Sequence, residues 1–170
     1  SNNTVEIDWI TLEGESPVQE YFYSFDESSN TDPKESLGSN ESKLTFKDVK
    51  DGIHYFHIKG VQKDGKETKT VHRKVNVDVS APNAFEATIA DKQILEGESV
   101  YMVFATTDDS SGVREYQVSL NDGSFEPKNT PLEIKDFKQG TYFIRVAAID
   151  RAGNVRYFGK SVRVYPEGTD

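Results

Sequence analysis

The sequence predicts an all-β protein made of two tandem β-sandwich domains, and three observations lead to this prediction. An internal repeat divides the 170 residues into two related halves. Apolar and polar residues alternate with the period of two that half-buried strands show. Asp-Gly and Gly-Asn pairs, which supply the positive φ angles of tight turns, separate the alternating runs. No segment keeps the period of an amphipathic helix, so we expect no helical layer.

The repeat consists of two aligned blocks. Residues 5–25 align without a gap on residues 100–120, and residues 44–52 align on residues 132–140. Between the blocks, the first copy carries a longer polar segment, residues 27–43. Insertions concentrate in surface loops, because loops change length at small entropic cost. We therefore interpret the chain as two copies of one module.

The predicted domains are residues 1–79 and residues 80–170. They meet at the short segment 78–83, Asp-Val-Ser-Ala-Pro-Asn, which favours a semi-rigid rod over two domains on a flexible linker. The second copy begins with an apolar segment, residues 85–89, that has no counterpart before Val5. Either the sequence cuts off a first strand of the first domain, or this domain uses fewer strands.

Strands are predicted wherever the alternation is strongest. At the start of the chain, for example, Val5, Ile7 and Trp9 alternate with Glu6 and Asp8. Several short strands with regular turns in each 80–90 residues are typical of a sandwich. The clearest predicted strands are residues 5–9, 21–25, 116–120, 142–148 and 155–165.

The inward-facing positions of these strands predict the two hydrophobic cores. Because the chain has no cysteine and so no disulfide, these cores alone must hold the fold. In the first domain the predicted core residues are Trp9, Tyr21, Tyr23, Phe56 and Ile58. In the second domain they are Phe104, Tyr116, Val118, Tyr142, Ile144 and Val146.

The composition excludes several classes of function. The chain contains no cysteine, which rules out a thiol nucleophile, a zinc–thiolate site and a disulfide scaffold. A formal net charge of −9 without a concentrated cationic face argues against nucleic-acid binding. No apolar run is long enough for a membrane-spanning helix, so we expect no membrane insertion in this segment. The chain is predicted to be a monomeric fragment.

No arrangement of residues in the sequence indicates catalysis, and we predict that the protein is not an enzyme and needs no cofactor. Phosphate-binding glycine loops and nucleophile motifs are absent from the sequence. His54 and His57 lie three residues apart on a predicted strand and so face opposite sides. His72 follows across a turn and can pair with only one of them. No catalytic residue and no transition-metal site is therefore predicted.

Calcium is the one ion that the sequence makes a candidate, because calcium binds carboxylate and carbonyl oxygens from neighbouring loops. Asp108 and Asp109 occupy one interstrand loop of the second copy, and Asp150 and Asn154 occupy another. The alternative is that these side chains simply brace their own turns, as Asp and Asn commonly do. If a calcium site exists, these four residues are expected to form it.

Outward-facing aromatic residues are the candidates for surface binding. If Tyr21, Tyr23 and Phe25 point inward, Phe22 points outward, and Tyr55 and His57 lie beside it on the neighbouring strand. In the second copy, Phe143, Arg145 and Ile149 occupy the comparable outer face. Such a face suits sugar stacking or a protein partner. The alternative is that the face packs against the neighbouring domain or against the 27–43 loop.

The strands and turns of both copies resemble bacterial extracellular fibronectin type III and immunoglobulin-like tandem repeats. The first copy carries the resemblance in residues 21–26, Tyr-Phe-Tyr-Ser-Phe-Asp, and in residues 51–60, Asp-Gly-Ile-His-Tyr-Phe-His-Ile-Lys-Gly. It is also similar to the Y_Y_Y-type sandwich of bacterial sensors. The second copy carries the resemblance in residues 108–113 and in Ala-Ala-Ile-Asp-Arg-Ala-Gly-Asn at residues 147–154. The resemblance covers nearly the whole chain.

The resemblance implies a non-enzymatic segment of a secreted or cell-surface bacterial protein. Such modules serve as spacers and as adhesion or recognition segments, with a protein or glycan at the cell surface as the expected partner. The alternatives that it leaves open are a calcium- or glycan-binding module and a periplasmic sensor domain.

Overall fold

The computed structural model describes residues 3–11, 16–89 and 93–168. All regular secondary structure in these ranges is β-strand. The described part of the chain therefore has no helix that could span a membrane. Contacts between Cα atoms divide the chain into two compact units, Ser1–Val79 and Ser80–Asp170. The prediction of an all-β chain is confirmed, and each unit is described by itself.

The first unit forms two antiparallel sheets. Its strands are β1 (Val5–Asp8), β2 (Val18–Asp26), β3 (Glu35–Gly38), β4 (Lys43–Phe46), β5 (Gly52–Gln62) and β6 (Val71–Val77). One sheet has the order β1-β4, and the other has the order β3-β2-β5-β6. The long strands β2 and β5 lie next to each other in the larger sheet, and they carry the alternating segments that the sequence indicates.

The core of the first unit is small and aromatic. Tyr21, Phe56 and Ile58 form its buried cluster. Phe25 and Phe46 stack with ring centroids 4.3 Å apart and so join the two sheets. The half-buried residues that pack against the cluster are Ile7, Trp9, Val18, Tyr23, Phe25, Leu37, Leu44 and Phe46. Each of the five core residues predicted for this unit belongs either to the buried cluster or to the residues that pack against it.

The second unit also forms two sheets. Its strands are β7 (Ala87–Ile89), β8 (Ile94–Leu95), β9 (Val100–Phe104), β10 (Val113–Leu120), β11 (Glu126–Pro127), β12 (Leu132–Ile134), β13 (Gly140–Asp150) and β14 (Val155–Tyr165). One sheet has the order β12-β9-β7, and the other has the order β11-β10-β13-β14-β8, in which β8 runs parallel to β14.

The second unit has the larger buried core. Met102, Ile144 and Val146 are completely inaccessible, and Phe104 is 1% exposed. The buried residues are Ala87, Ile89, Ile94, Val100, Met102, Phe104, Val118, Ile134, Phe137, Ile144, Val146, Val162 and Val164, and Tyr116 and Tyr142 pack against them. The six core residues predicted for this unit all take part.

The two units repeat the same pairing pattern. In the first unit β1 pairs with β4 and β2 pairs with β5, just as β9 pairs with β12 and β10 pairs with β13 in the second. At equivalent turns, Asp48 and Asp136 have positive φ angles of 56° and 58°. In the second unit, β7 pairs with the second edge of β9. No strand within residues 3–11 and 16–79 pairs with the corresponding edge of β1. Residues 3–11 and 16–79 therefore contain fewer strands than the second unit, and their buried core is smaller.

One position on the central strand shows how the two repeats differ. In the second unit, the Tyr142 hydroxyl donates a hydrogen bond to the Lys138 carbonyl oxygen at 3.0 Å. In the first unit, His54 Nε2 lies 2.8 Å from the Lys50 carbonyl oxygen. Because a carbonyl can only accept, His54 donates from Nε2. The alignment left open whether His54 or Tyr55 takes the tyrosine position, and the structure assigns His54.

Candidate functional site

The outer face of β2 and β5 in the first unit is covered by the chain itself. Phe22 and Tyr55 lie on this face and are half-buried, but His57 is 0% exposed. The covering segment is residues 27–34, which we call the cover segment. The expectation that His57 is available for surface binding is therefore wrong, because alternation along a strand fixes the face of a side chain but does not show what packs over it.

His57 is held under the cover segment by hydrogen bonds on both sides of its ring. Its Nε2 lies 3.0 Å from the Ser28 carbonyl oxygen and 3.4 Å from Asp26 Oδ1. Its Nδ1 lies 2.6 Å from Nδ1 of His72 on β6. Since the Ser28 carbonyl only accepts, His57 Nε2 carries a proton, and one of the two facing Nδ1 atoms donates to the other. His72 therefore pairs with one of the other two histidines, as the sequence indicates.

A second anchor of the cover segment is an ion pair. Lys59 Nζ lies 2.8 Å from Asp32 Oδ1 and 3.1 Å from Glu67 Oε2. The hydrogen bond from Lys59 lowers the pKa of Asp32. The hydrogen bond to Asp32 is the largest cause that raises the pKa of Lys59, followed by the one to Glu67. The charged forms of Asp32 and Lys59 therefore hold the cover segment against β5.

Acid is expected to release the cover segment. Partial burial raises the pKa of Asp26, but hydrogen bonds from Thr31, Ser28 and His57 outweigh it, and the pKa is lowered overall. The pKa of Asp32 is lowered as well. A lowered folded-state pKa stabilises the fold above the ordinary aspartate pKa of about 3.9, and the contribution is lost as the pH falls through the lowered value.

Amide NMR spectra recorded as a function of pH measure this release. The amides of Ser28 and Asp32 are expected to shift together below about pH 4, and a double variant with Asp26→Asn and Asp32→Asn is expected to show the shifted positions already at neutral pH. If these amides stay in place throughout the acid titration, the two carboxylates do not hold the segment.

The corresponding face of the second unit is open and aromatic. Phe143 and Arg145 alternate with the buried Ile144 and Val146, so they point away from the core. Phe143 is 42% exposed, and Tyr157 on β14 is 62% exposed. Ile149, which was expected on this outer face, is buried, with 9% of its surface exposed. The expectation of an exposed side chain is therefore wrong for Ile149.

These aromatic residues line a groove of about 400 Å³. We call it the aromatic groove, and its lining residues are Phe125, Phe143, Arg145, Tyr157, Phe158 and Gly159. The ring of Phe143 lies directly over Gly159, where a built Cβ atom would come within 2.7 Å of Phe143 Cζ. The ring centroids of Phe125 and Tyr157 are 5.7 Å apart. The Phe143 ring therefore occupies space that a side chain at position 159 would fill.

Arg145 supplies the charge of the groove. Its guanidinium carbon lies 5.1 Å from the centroid of the Phe125 ring, and its Nη2 lies 3.3 Å from Ser119 Oγ. Its Nη2 also lies 4.0 Å from Oδ1 of Asp122, whose side chain is fully exposed. Such an exposed pair contributes little. The sequence indicated Phe143 and Arg145 but not Phe125, Tyr157 or Gly159, whose positions depend on strand register.

The candidate calcium residues mainly hydrogen-bond to the backbone and side chains of their own turns. Asp108 Oδ1 accepts hydrogen bonds from the amides of Ser111 and Gly112 at 2.8 Å each. Asp150 is fully buried and accepts hydrogen bonds from the amide and the side chain of Asn154, both at 2.9 Å. One carboxylate oxygen of Asp108 lies within 4.8 Å of one of Asp150, whereas Asp109 is exposed.

Comparison with known proteins identifies the fold but no family. Neither the protein-family models nor the curated proteins give a match to the sequence. Among solved structures, the fibronectin(III)-like modules of CbhA from Clostridium thermocellum are 14% identical, with a TM-score of 0.51, over 99% of this chain and 88% of that one. The amphioxus IgVJ-C2 molecule is 13% identical, with a TM-score of 0.43, over 95% and 96% of the two chains.

The CbhA modules agree with the architecture described above. Fibronectin type III and immunoglobulin-like domains are typically non-catalytic, and their folds do not usually need a cofactor. The predicted fibronectin type III/immunoglobulin-like β-sandwich is confirmed, because the described chain is all-β and the modules that align with 99% of it are of this type. The chain thus has a fibronectin type III/immunoglobulin-like β-sandwich fold.

Proposed function

We propose that this chain is a non-enzymatic spacer and recognition segment of a secreted or cell-surface bacterial protein. The observation that carries the proposal is that two sandwich repeats occupy almost the whole chain, and a bacterial structure described as fibronectin(III)-like modules aligns with 99% of it. A sandwich with a buried core and an exposed aromatic face suits a module that holds position and contacts a partner. Adhesion to a protein or glycan is the proposed role.

Labelling of intact cells tests the location. An antibody raised against the 170-residue protein is expected to label unpermeabilised cells of the source organism. Labelling only after permeabilisation would contradict a surface position. Deletion of this segment from the full-length protein is expected to leave export intact and to reduce attachment of the cells to their substrate. Unchanged attachment would remove the recognition role.

Two residues on the first unit and three on the second are proposed contacts. Phe22 and Tyr55 remain candidates at the margin of the cover segment, and Phe143, Arg145 and Tyr157 are candidates in the aromatic groove. Alanine variants of each set, introduced into the full-length protein, are expected to reduce attachment without reducing its amount on the surface. The set whose variants have no effect is not a contact.

Calcium binding at Asp108 and Asp150 is a second candidate function, because their carboxylate oxygens approach within 4.8 Å of each other. Two carboxylates at this distance repel, and a divalent cation would offset the repulsion. This candidate predicts that calcium raises the melting temperature by several degrees and that chelation reverses the change.

Variants distinguish this site from general ion effects. Asp150→Asn is expected to abolish the calcium-dependent rise, whereas Asp109→Asn, which changes the exposed neighbouring carboxylate, is expected to preserve it. An identical melting temperature with calcium and with chelator would remove the calcium candidate and would leave both carboxylates as acceptors within their own turns.

A further inference from the structure

We propose that the aromatic groove of the second unit binds a hexuronic acid residue of an anionic polysaccharide. This inference rests on the recognition role proposed above and names its ligand class. The flat, apolar face of a pyranose ring matches an exposed aromatic ring, and the carboxylate of the sugar matches a guanidinium. Phe143 and Tyr157 supply the exposed rings, and Arg145 supplies the cation within the same groove.

The charge pattern of this face favours an anionic ligand. On β13 the alternate positions in register with Arg145 are Thr141, Phe143, Arg145 and Ala147, of which Ala147 is buried. Their cross-strand partners on β14 are Arg163, Ser161, Gly159 and Tyr157. These eight positions include two arginines and no carboxylate, although the chain carries a net charge of −9. Positive charge concentrated on one face attracts an anionic ligand, even where the protein as a whole is acidic.

Arg145 is ready to bind such an anion. Its side chain is 34% exposed, and the pair with Asp122 spans 4.0 Å to a carboxylate that water surrounds completely. Arg145 Nε is buried and has no hydrogen-bond partner among the described residues. Contact with Phe125 and Ser119 holds the guanidinium in place before any ligand arrives. A carboxylate would therefore form a charge-assisted hydrogen bond with a preorganised donor.

The size of the groove favours a sugar over a protein. A volume of about 400 Å³ falls within the range of sites for small molecules. A standard protein interface uses about 20–30 residues on each side, whereas six residues line this groove. In the first unit, the position equivalent to Arg145 is His57, which is buried beneath the cover segment.

Affinity electrophoresis of the 170-residue protein tests the proposal. The gels contain polygalacturonate, alginate or hyaluronan, which together present the common hexuronic acids, and each is compared with its methyl-esterified form. Retardation by at least one acidic polymer is expected, and esterification, which keeps the ring and removes the charge, is expected to weaken binding about tenfold or more. Added salt is expected to reduce the retardation.

Three variants show whether the groove is responsible. Phe143→Ala and Arg145→Gln are each expected to weaken binding about tenfold or more. Gly159→Ala is expected to do the same, since the added Cβ would displace the Phe143 ring. Tyr101→Ala is the control, because Tyr101 is 56% exposed on β9, in the other sheet of this unit, and lies outside the groove. Its binding is expected to equal that of the wild-type protein.

Several results would overturn the inference. Absence of retardation by all three acidic polymers would do so, and so would retardation that Phe143→Ala and Arg145→Gln leave unchanged. Attachment of cells that depends on Phe143 without any uronate binding would keep the recognition role and remove the uronate ligand. Attachment that is unchanged when the whole segment is deleted, together with absence of uronate binding, would remove both.

Discussion

Replacement of Phe104 by alanine is expected to destabilise the second unit by about 3–5 kcal/mol, the usual cost of removing a buried phenylalanine. Phe104 is 1% exposed and packs edge-on against Tyr116 with ring centroids 5.2 Å apart. Its strand lies between β12 and β7, so the surrounding backbone is held on both sides and has little room to close the cavity. A unit of this size is expected to lose at least about 12 °C in melting temperature.

Amide NMR signals of Ile144 and Val146 report this loss, because both residues belong to the second core. Val103→Ala is the matched control. Val103 precedes Phe104 on β9, faces the opposite side and is 53% exposed. Its replacement is expected to change stability by about 0.5 kcal/mol or less. Equal effects of the two substitutions would mean that Phe104 is not a central packing residue.

Replacement of His57 by alanine is expected to destabilise the first unit by about 2–5 kcal/mol, as other large-to-small changes at fully buried positions do. The change leaves a cavity under the cover segment and leaves the Ser28 carbonyl oxygen without this donor. The lost hydrogen bond adds about 1 kcal/mol to the cost. Because the first core contains few fully buried residues, we expect the free energy of unfolding of this unit to be small, and a loss of this size to be a large part of it.

Fluorescence of Trp9 measures the unfolding of the first unit. Trp9 is the sole tryptophan of the sequence, and its ring contacts Tyr21 and Phe56 at centroid distances of 5.8 and 6.0 Å. His72→Ala is the control, because it removes the Nδ1 partner of His57 but is itself exposed. A loss of about 1 kcal/mol is expected for it. A His57 variant as stable as the His72 variant would mean that burial of His57 contributes nothing.

The sequence repeat predicted much of the architecture because it records local requirements. Alternation places Tyr21 and Phe56 on inward faces, and the same pattern places Phe104 and Ile144 inward in the second copy. Asp48 and Asp136 occupy aligned positions, and both have a positive φ angle because the same local turn occurs in the two copies. Each of these features depends on residues that are close together in the chain.

The candidate site was only partly predictable, because its surfaces form between distant segments. Phe143 and Arg145 were identified from alternation, but Tyr157 and Gly159 join them only through the register of β13 and β14. His57 was placed on the correct face, yet the chain segment that buries it follows a different strand. Asp108 and Asp150 were grouped as possible ligands, but only their folded loops show that their oxygens approach each other.

The sequence by itself determined the all-β class, the two-copy organisation and the inward residues of each core, because periodicity and turn chemistry act over a few neighbouring residues. The tertiary structure decided which outer face is covered and which is open. An eight-residue cover segment lies over β5 in the first unit, whereas a short turn follows β10 in the second and leaves Phe143 and Tyr157 exposed. Exposure of a face depends on where a non-local segment finds hydrogen-bond partners and apolar contacts, and no local pattern contains that information.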